Sequence, residues 1–486
     1  MTGMKKYELW FVTGSQHLYG KDILIQAAEN SQKIAEHLNE YSLTAPSVLW
    51  KPVLTTSDEI SALVREANYD PKCIGLICWM HTFSPAKMWI GGLNALQKPL
   101  LHLHTQFNRD LPWNSIDMNF MNLNQSAHGD REFGFICTRM NKHRKVVVGF
   151  WRDEKVKNKI AVWSRVAAAH TEMKKMKIAR IGDNMRDVAV TEGNKVSAQI
   201  KFGFSVNGYG VGDLVKFIKE IKDGEIEQLL AEYREQYIIP DISQESLSSI
   251  YEAARTELGI RAFLEDGGFS AFTTTFEDLY GLRQLPGLAA QRLMADGYGF
   301  GAEGDWKTAA MLRLIKVMSR GLKEGTSFME DYTCHLEEGN EKVLGAHMLE
   351  VCPSIAANIP SLEVHPLDIG GKEDPARLVF NSRPGPAVNV SLIDLGDRFR
   401  IIVNEVETLA LDEDMPKLPV AKTVWRPAPD FETGTTAWIL SGGAHHTVYS
   451  QAITREYIED FAEMTGTELV IIDENTNIRE FKSILK

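Results

Sequence analysis

The 486-residue sequence predicts an α/β protein: two doubly wound α/β domains followed by a C-terminal β-barrel-like domain. Three observations predict it. Apolar runs of strand length alternate with amphipathic helical segments through the first third of the chain, the pattern of a parallel sheet covered on both faces. That alternation restarts near Lys177. Beyond about residue 325 the texture changes to alternating strands, turn residues and frequent prolines. With a typical domain near 150 residues, the length allows roughly three domains. The changes of texture divide them at 1–175, 176–325 and 326–486.

In the first domain Leu9 to Val12 is a strand that ends in the turn Thr13-Gly14-Ser15. Leu24, Ala27, Ala28, Ile34 and Leu38 recur at helical spacing and make Leu24 to Leu38 a helix. Ile74 to Trp79, Leu100 to Leu103 and Val146 to Val148 are further buried strands. In such sheets ligands bind beyond the C-terminal strand ends. Attention therefore falls on Gly14-Ser15-Gln16-His17 and on Trp79-Met80-His81-Thr82. The second domain opens with the strand Ile178 to Ile181. Helices follow over Val211 to Ile221, Glu225 to Tyr237, Gln244 to Leu258 and Gly287 to Met294. Another runs from Asp305 to Ser319, with Asp305 as N-cap and Ala310, Leu314, Val317 and Met318 on its apolar face. In the third domain Val388 to Leu392, the turn Gly396-Asp397 and Phe399 to Val403 form an antiparallel hairpin. Trp438-Ile439-Leu440 reads as a strand before Ser441-Gly442-Gly443. A helix over Thr454 to Thr465 and a strand over Leu469 to Ile472 finish the chain.

Composition narrows the function. Hydrophobic residues at 44% and charged residues at 24% exclude a disordered chain. Lys and Arg total 53 against 65 Asp and Glu, a formal charge of −12, and no basic run occurs. Nucleic-acid binding, which needs a concentrated basic face, is not expected. The five cysteines (Cys73, Cys78, Cys137, Cys334 and Cys352) fit no zinc spacing and point to reduced thiols in the cytoplasm. No signal-peptide core and no run of about 18 apolar residues is seen, so no membrane role is expected.

Four segments carry candidate chemistry. Gly299-Phe300-Gly301-Ala302-Glu303-Gly304 has the G-x-G-x-x-G spacing of a dinucleotide loop. Such a loop must follow a strand, whereas a helix is expected just before it, and Glu303 inside the cradle would repel a pyrophosphate. Close backbone packing that presents Glu303 at the start of a helix explains the glycines better. Ser327 to Tyr332 sets Glu330 and Asp331 after two bulky apolar residues, and His347 lies in the apolar segment Gly345 to Pro353. His445 and His446 follow the small residues Ser441 to Ala444. Adjacent residues on extended backbone face opposite ways, so only one of the two is expected to reach a given site. Taken singly, each residue has a plain structural alternative: surface carboxylates, a core histidine, an exposed histidine pair. Together, two carboxylates and two imidazoles without a thiolate suit a divalent ion with open positions. Mn²⁺ fits best, with Co²⁺ or Mg²⁺ as alternatives, and Zn²⁺ or Cu²⁺ compete by raw affinity.

The chain resembles the L-arabinose isomerase family over essentially its whole length. The resemblance is carried by Phe11-Val12-Thr13-Gly14-Ser15-Gln16-His17-Leu18-Tyr19-Gly20, by Gly299 to Thr308, Thr326 to Tyr332, Gly345 to Pro353 and Gly442 to Val448. It implies two α/β domains before a β-barrel-like domain, assembled as a homo-oligomer, trimer or hexamer. It implies metal-site glutamates at Glu303 and Glu330, which are also the catalytic pair, and histidine ligands at His347 and His446. His445 then sits beside the site and helps to place substrate. Gln16, Leu18 and His128 approach the sugar from a neighbouring subunit, which puts the active site at a subunit interface, and Phe276 and Ile369 shape the pocket. The implied reaction interconverts L-arabinose and L-ribulose through a cis-enediolate, with D-galactose to D-tagatose as a secondary activity. One glutamate moves the proton between C2 and C1 while the other serves the two oxygens. A metal-directed hydride shift is the rival route.

Two other readings are weighed. A non-catalytic sugar-binding or sensing protein shares the plan of two α/β domains. The missing export signal, the additional β domain and the Glu/His set speak against it. An isomerase of another sugar, such as L-fucose, has the same broad architecture, but the matched motifs favour arabinose.

Overall fold

The computed structural model describes residues 3–41, 46–240, 243–411 and 415–485. They form two compact units, Met1–Thr171 with Glu459–Gly466, and Glu172–Ile458 with Thr467–Lys486. The first is built on five parallel strands: β1 (Glu8–Thr13), β2 (Ser47–Trp50), β3 (Cys73–Trp79), β4 (Leu100–His104) and β5 (Lys145–Val148), in the order β2-β1-β3-β4-β5. Side chains alternate across β1. Leu9 and Phe11 join one core with Ile34, Trp79 and Trp163, while Trp10 and Val12 join another with Ile60, Trp89 and Phe133. Helices Lys21–Tyr41 and Glu154–Met173 supply the first core, and Ser57–Tyr69 and Ser126–Arg139 the second. Residues 459–466 complete this unit, where Lys145 Nζ lies 2.6 Å from Asp460 Oδ1. The strand order reverses between β1 and β3. There the two outgoing segments touch, Ser15 Oγ lying 2.7 Å from Thr82 Oγ1.

The second unit begins with four parallel strands, β6 (Lys177–Ile181), β7 (Ser205–Tyr209), β8 (Ala271–Thr273) and β9 (Gly299–Gly301), in the order β7-β6-β8-β9. Nine further strands follow among the described residues: β10 (Thr326–His335), β11 (Lys342–Ala346), β12 (Ser361–Val364), β13 (Ala376–Val379), β14 (Gly385–Asp394), β15 (Phe399–Leu409), β16 (Lys422–Pro427), β17 (His446–Ser450) and β18 (Glu468–Ile472). Six of them run antiparallel in the order β14-β17-β10-β11-β16-β15, and β15 pairs back onto β14 to close a barrel. β18 adds to β15 in parallel, and β12 and β13 form a separate ribbon. Helix Trp306–Met318 packs against both β9 and the barrel strands β10, β14 and β17, and only Arg313 along it escapes full burial. Asp305 caps it as the sequence predicts, accepting from the Thr308 N–H at 3.3 Å.

Two expectations are corrected. Trp438-Ile439-Leu440 is not a strand but the end of helix Phe431–Leu440. Asp430 caps that helix, accepting from the Thr433 N–H at 2.7 Å, and buried Ala437 and Trp438 beside exposed Ile439 follow helical rather than alternating periodicity. A three-residue apolar run does not distinguish the two. Gly299 to Gly301, expected as a turn, is itself strand β9; the helix expected before it is present as Gly287–Ala295, and the glycine motif begins within the strand rather than after one. Its glycines serve packing. A Cβ at Gly299 would lie 2.1 Å from the Ala309 carbonyl oxygen, and one at Gly301 2.0 Å from that of Asp305. The strand–helix approach tolerates no side chain at either place.

The five cysteines are free thiols. Among the described residues no helix is long and apolar enough to cross a membrane.

Candidate metal centre

β9 ends at Gly301, and the next turn presents Glu303 with a left-handed backbone, φ 58°. Only three described non-glycine residues share that sign of φ, which the turn enforces from both sides. The Met185 N–H donates to the Glu303 carbonyl at 3.0 Å, and the Gly304 N–H donates to the Thr274 carbonyl at 3.0 Å. The barrel supplies the remaining groups. Glu330 on β10 is directly opposite His446, the first residue of β17, and opposite Ala346 on β11, whose next residue is His347. One three-strand register therefore gathers a carboxylate and two imidazoles from distant segments.

The polar atoms converge. Glu303 Oε2 lies 3.7 Å from His445 Nε2 and 4.0 Å from His446 Nε2, and Glu330 Oε2 lies 3.9 Å from His347 Nε2. The ring centroids of His347 and His446 are 5.9 Å apart. Glu303, His445 and His446 form the most compact group, with one ligand atom from each lying within 4.8 Å of the others. The expectation that only one of the adjacent histidines reaches the site is thus corrected. His445 precedes β17, at the end of the turn through Gly442 to Ala444, so strand alternation does not govern it.

Behind the imidazoles stand two buried carboxylates. Glu350 Oε2 lies 2.5 Å from His347 Nδ1, and Asp305 Oδ2 lies 3.3 Å from His446 Nδ1. Phe328, two residues before Glu330 on β10, wedges edge-on between the rings, at 5.0 Å from His347 and 4.9 Å from His446. Phe276 stacks at 6.0 Å from His347. Ile369 is half-buried beside Gly370, where an added Cβ would meet the Phe276 carbonyl at 3.2 Å.

Charge follows the geometry. Burial works against ionisation of Glu303, but His445, His446 and His347 outweigh it and hold its carboxyl below the ordinary range. Burial pulls His347 down, yet Glu350, Glu330 and Glu303 together hold it above its ordinary value. His446 is pulled below its ordinary value by burial, with Asp305 opposing. His445 is raised, chiefly by Glu303.

The donor set fits a divalent cation. A cation about 2.1 Å from each oxygen or nitrogen donor spaces its donors roughly 3–4.2 Å apart, which the 3.9 Å Glu330–His347 and 4.0 Å Glu303–His446 separations match. Each is too long for a hydrogen bond. His446 Nε2 is buried without a hydrogen-bond partner, a cost that a bound cation would remove.

Gln16, Leu18 and His128 belong to the first unit. Leu18 is 83% exposed, and His128 stacks on Phe83 at 4.4 Å while its Nδ1 lies 3.2 Å from Gln125 Oε1. Sequence reasoning missed Glu350 and Phe328 altogether and saw Asp305 only as a helix cap. A signal exists for Glu350, which is three residues from His347.

Three family models, for the N-terminal, central and C-terminal domains of L-arabinose isomerase, match residues 3–175, 177–321 and 325–468. The L-arabinose isomerase of Geobacillus stearothermophilus is 62% identical over 489 residues, covering 100% of this chain and 98% of that protein. That of Geobacillus thermodenitrificans is 61% identical and that of Herpetosiphon aurantiacus 59%, each with the same coverage.

Proposed function

The chain belongs to the L-arabinose isomerase family of aldose–ketose isomerases, and from that premise we propose that it converts L-arabinose to L-ribulose through a cis-enediolate, with the help of a divalent metal. D-galactose to D-tagatose is a secondary reaction, because the two sugars share configuration near the reacting carbons. The observation that carries the reading is the convergence of Glu303, Glu330, His347 and His446, with the unpartnered Nε2 of His446 among them. The division into domains at 1–175, 176–325 and 326–486 forms part of the same proposal.

Glu303, Glu330, His347 and His446 would hold Mn²⁺, with Co²⁺ or Mg²⁺ as alternatives. When bound, the ion offsets the negative charge that develops on the two sugar oxygens. The chain's own residues move the protons. Glu303, kept ionised by three imidazoles, is competent to accept a proton at neutral pH, and Glu330 lies 3.9 Å from one of them, His347. One of them takes the C2 proton and returns it to C1, and the other serves the hydroxyl and carbonyl oxygens. His445, half-buried and raised by Glu303, is a hydrogen-bond donor for a sugar hydroxyl. Phe276 and Ile369 form an apolar wall that excludes water. Gln16, Leu18 and His128 of a neighbouring copy complete the pocket in a trimer or hexamer, a role that suits the exposed Leu18 side chain. Five free thiols are consistent with a reducing cytoplasm.

Product analysis with L-arabinose in D₂O across a metal series tests the proposal. L-Ribulose carrying solvent deuterium at C1 is expected, with EDTA abolishing turnover and Mn²⁺ restoring it. An undiminished rate in metal-stripped protein would overturn the metal role, and complete retention of the substrate hydrogen would favour hydride transfer.

A further inference from the structure

Each buried imidazole of the cluster is held from behind by a buried carboxylate, and the two carboxylates are themselves held differently. Glu350 meets His347 from three residues along the chain, its Oε2 at 2.5 Å from Nδ1. Asp305 is fixed by other donors. Its Oδ1 accepts from the Thr308 N–H at 3.3 Å and lies 3.2 Å from Lys307 Nζ, while its Oδ2 accepts from the Thr308 hydroxyl at 2.7 Å and faces His446 Nδ1 at 3.3 Å. Lys307 is in turn anchored by the carbonyls of Thr191 and Glu192, at 3.0 and 2.7 Å. Asp305 is only an acceptor in this setting. His446 must therefore carry a proton on Nδ1, and when the ring is neutral its Nε2 turns a bare lone pair into the cluster.

We propose that Asp305 and Glu350 are positioning residues that fix the Nδ1–H tautomers of His446 and His347, so that both Nε2 lone pairs face the cation; the inference rests on the metal-centre reading above. A ring protonated on Nε2 would aim a proton where a donor is needed. Orienting partners of this kind are worth about 10–100-fold in metal affinity.

The surroundings of Asp305 separate this role from its role as a helix cap. In Asp305→Asn the amide oxygen must take the Oδ1 place, because the Thr308 N–H and Lys307 Nζ both donate there. The cap survives, since Asn caps as well as Asp. The amide NH₂ then occupies the Oδ2 place and donates to His446 Nδ1, which forces the proton onto Nε2. Asp305→Ala loses the cap but leaves His446 free to keep Nδ1–H. Both variants remove the same charge. Positioning thus orders the two variants one way in affinity and the cap orders them the other way in stability.

The experiment is a Mn²⁺ titration of the full-length protein followed by the electron paramagnetic resonance of free Mn²⁺, without sugar, alongside thermal melts of the metal-free forms. Asp305→Asn is expected to bind Mn²⁺ about 10–100-fold more weakly than wild type, and more weakly than Asp305→Ala, while melting higher than Asp305→Ala. Glu350→Gln, which leaves both helix caps intact, carries the test if the Asp305 variants do not fold, with a loss in the same range. Asp430→Asn, a cap change on another helix, leaves affinity unchanged. Affinities that track stability, or variants that bind as wild type does, would overturn the inference while the metal centre stands. A wild-type protein that binds no Mn²⁺, Co²⁺ or Mg²⁺ would overturn both.

Discussion

Replacing Gly301 by Ala should damage chemistry as well as stability. The added Cβ would sit 2.0 Å from the Asp305 carbonyl oxygen, 3.0 Å from the Asp305 carbonyl carbon and 3.1 Å from the Ala309 nitrogen. A carbon–oxygen contact is comfortable near about 3.3 Å, so β9 and the N-terminus of helix Trp306–Met318 must part by roughly 1.3 Å. Backbone, not a flexible side-chain end, has to yield. Overpacking by one methyl group costs about 1–3 kcal/mol. The displaced backbone also carries Glu303 on one side and, through Asp305, the support of His446 on the other. A displacement of about 1 Å at reacting groups lowers rates by about 100-fold. Expected, then, is a folded protein whose kcat for L-ribulose formation falls about 100-fold, with a loss of about 1–3 kcal/mol in urea denaturation. Gly212→Ala is the control. Nothing lies within 4 Å of its Cβ in helix Val211–Glu220, so it should gain about 0.4–1 kcal/mol and keep its kcat. Wild-type kcat in Gly301→Ala would refute the claim that close strand–helix packing sets the geometry of the centre.

Glu303→Gln and Glu330→Gln should each keep the far-ultraviolet circular dichroism of the wild type and lose at least about 100-fold in turnover; near-normal turnover in either removes that glutamate from proton transfer. Glu257→Ala strips the carboxylate that receives Arg292 Nε at 2.9 Å and the Tyr233 hydroxyl at 2.6 Å, leaving the buried guanidinium only the exposed Glu232, 3.6 Å from Nη2, as a carboxylate partner. It should cost about 3–5 kcal/mol in urea denaturation, and a loss below about 1 kcal/mol would mean that Glu232 or water takes over the charge of Arg292. In the native protein Cys334 alone should react with a thiol reagent at mildly alkaline pH, because it is exposed while the others are buried. Burial pushes the Cys73 thiol up to about 12 and Cys137 to about 11, and raises Cys78 well above its ordinary value, so the reactive thiolate is scarce at all three. Mass spectrometry of the labelled peptides checks the count, and fast labelling of a second cysteine would contradict it.

How much of this was legible in the sequence depended on how far apart the deciding partners lie. β1 and β3 are buried on both faces and therefore appear as continuous apolar runs, and β4 as one interrupted by His102. β2 escaped because it is a half-exposed edge strand with no such run, and β9 escaped because two of its three residues are glycines kept for contact with a helix. The residue types at the centre could be named from sequence, since a Glu/His set without thiolates already favours a cation over a nucleotide. Their convergence could not, because it is set by the pairing of β10 with β17 and β11, which no local pattern encodes. Asp305 illustrates the division most sharply. Its cap role depends on Thr308, three residues ahead, and is visible in the sequence. Its bond to His446 spans 141 positions, and only the closed barrel brings that partner in. One carboxylate has lone pairs enough for both. A residue with a sufficient local explanation can thus hold a second, functional one that appears only when the fold supplies the missing donor.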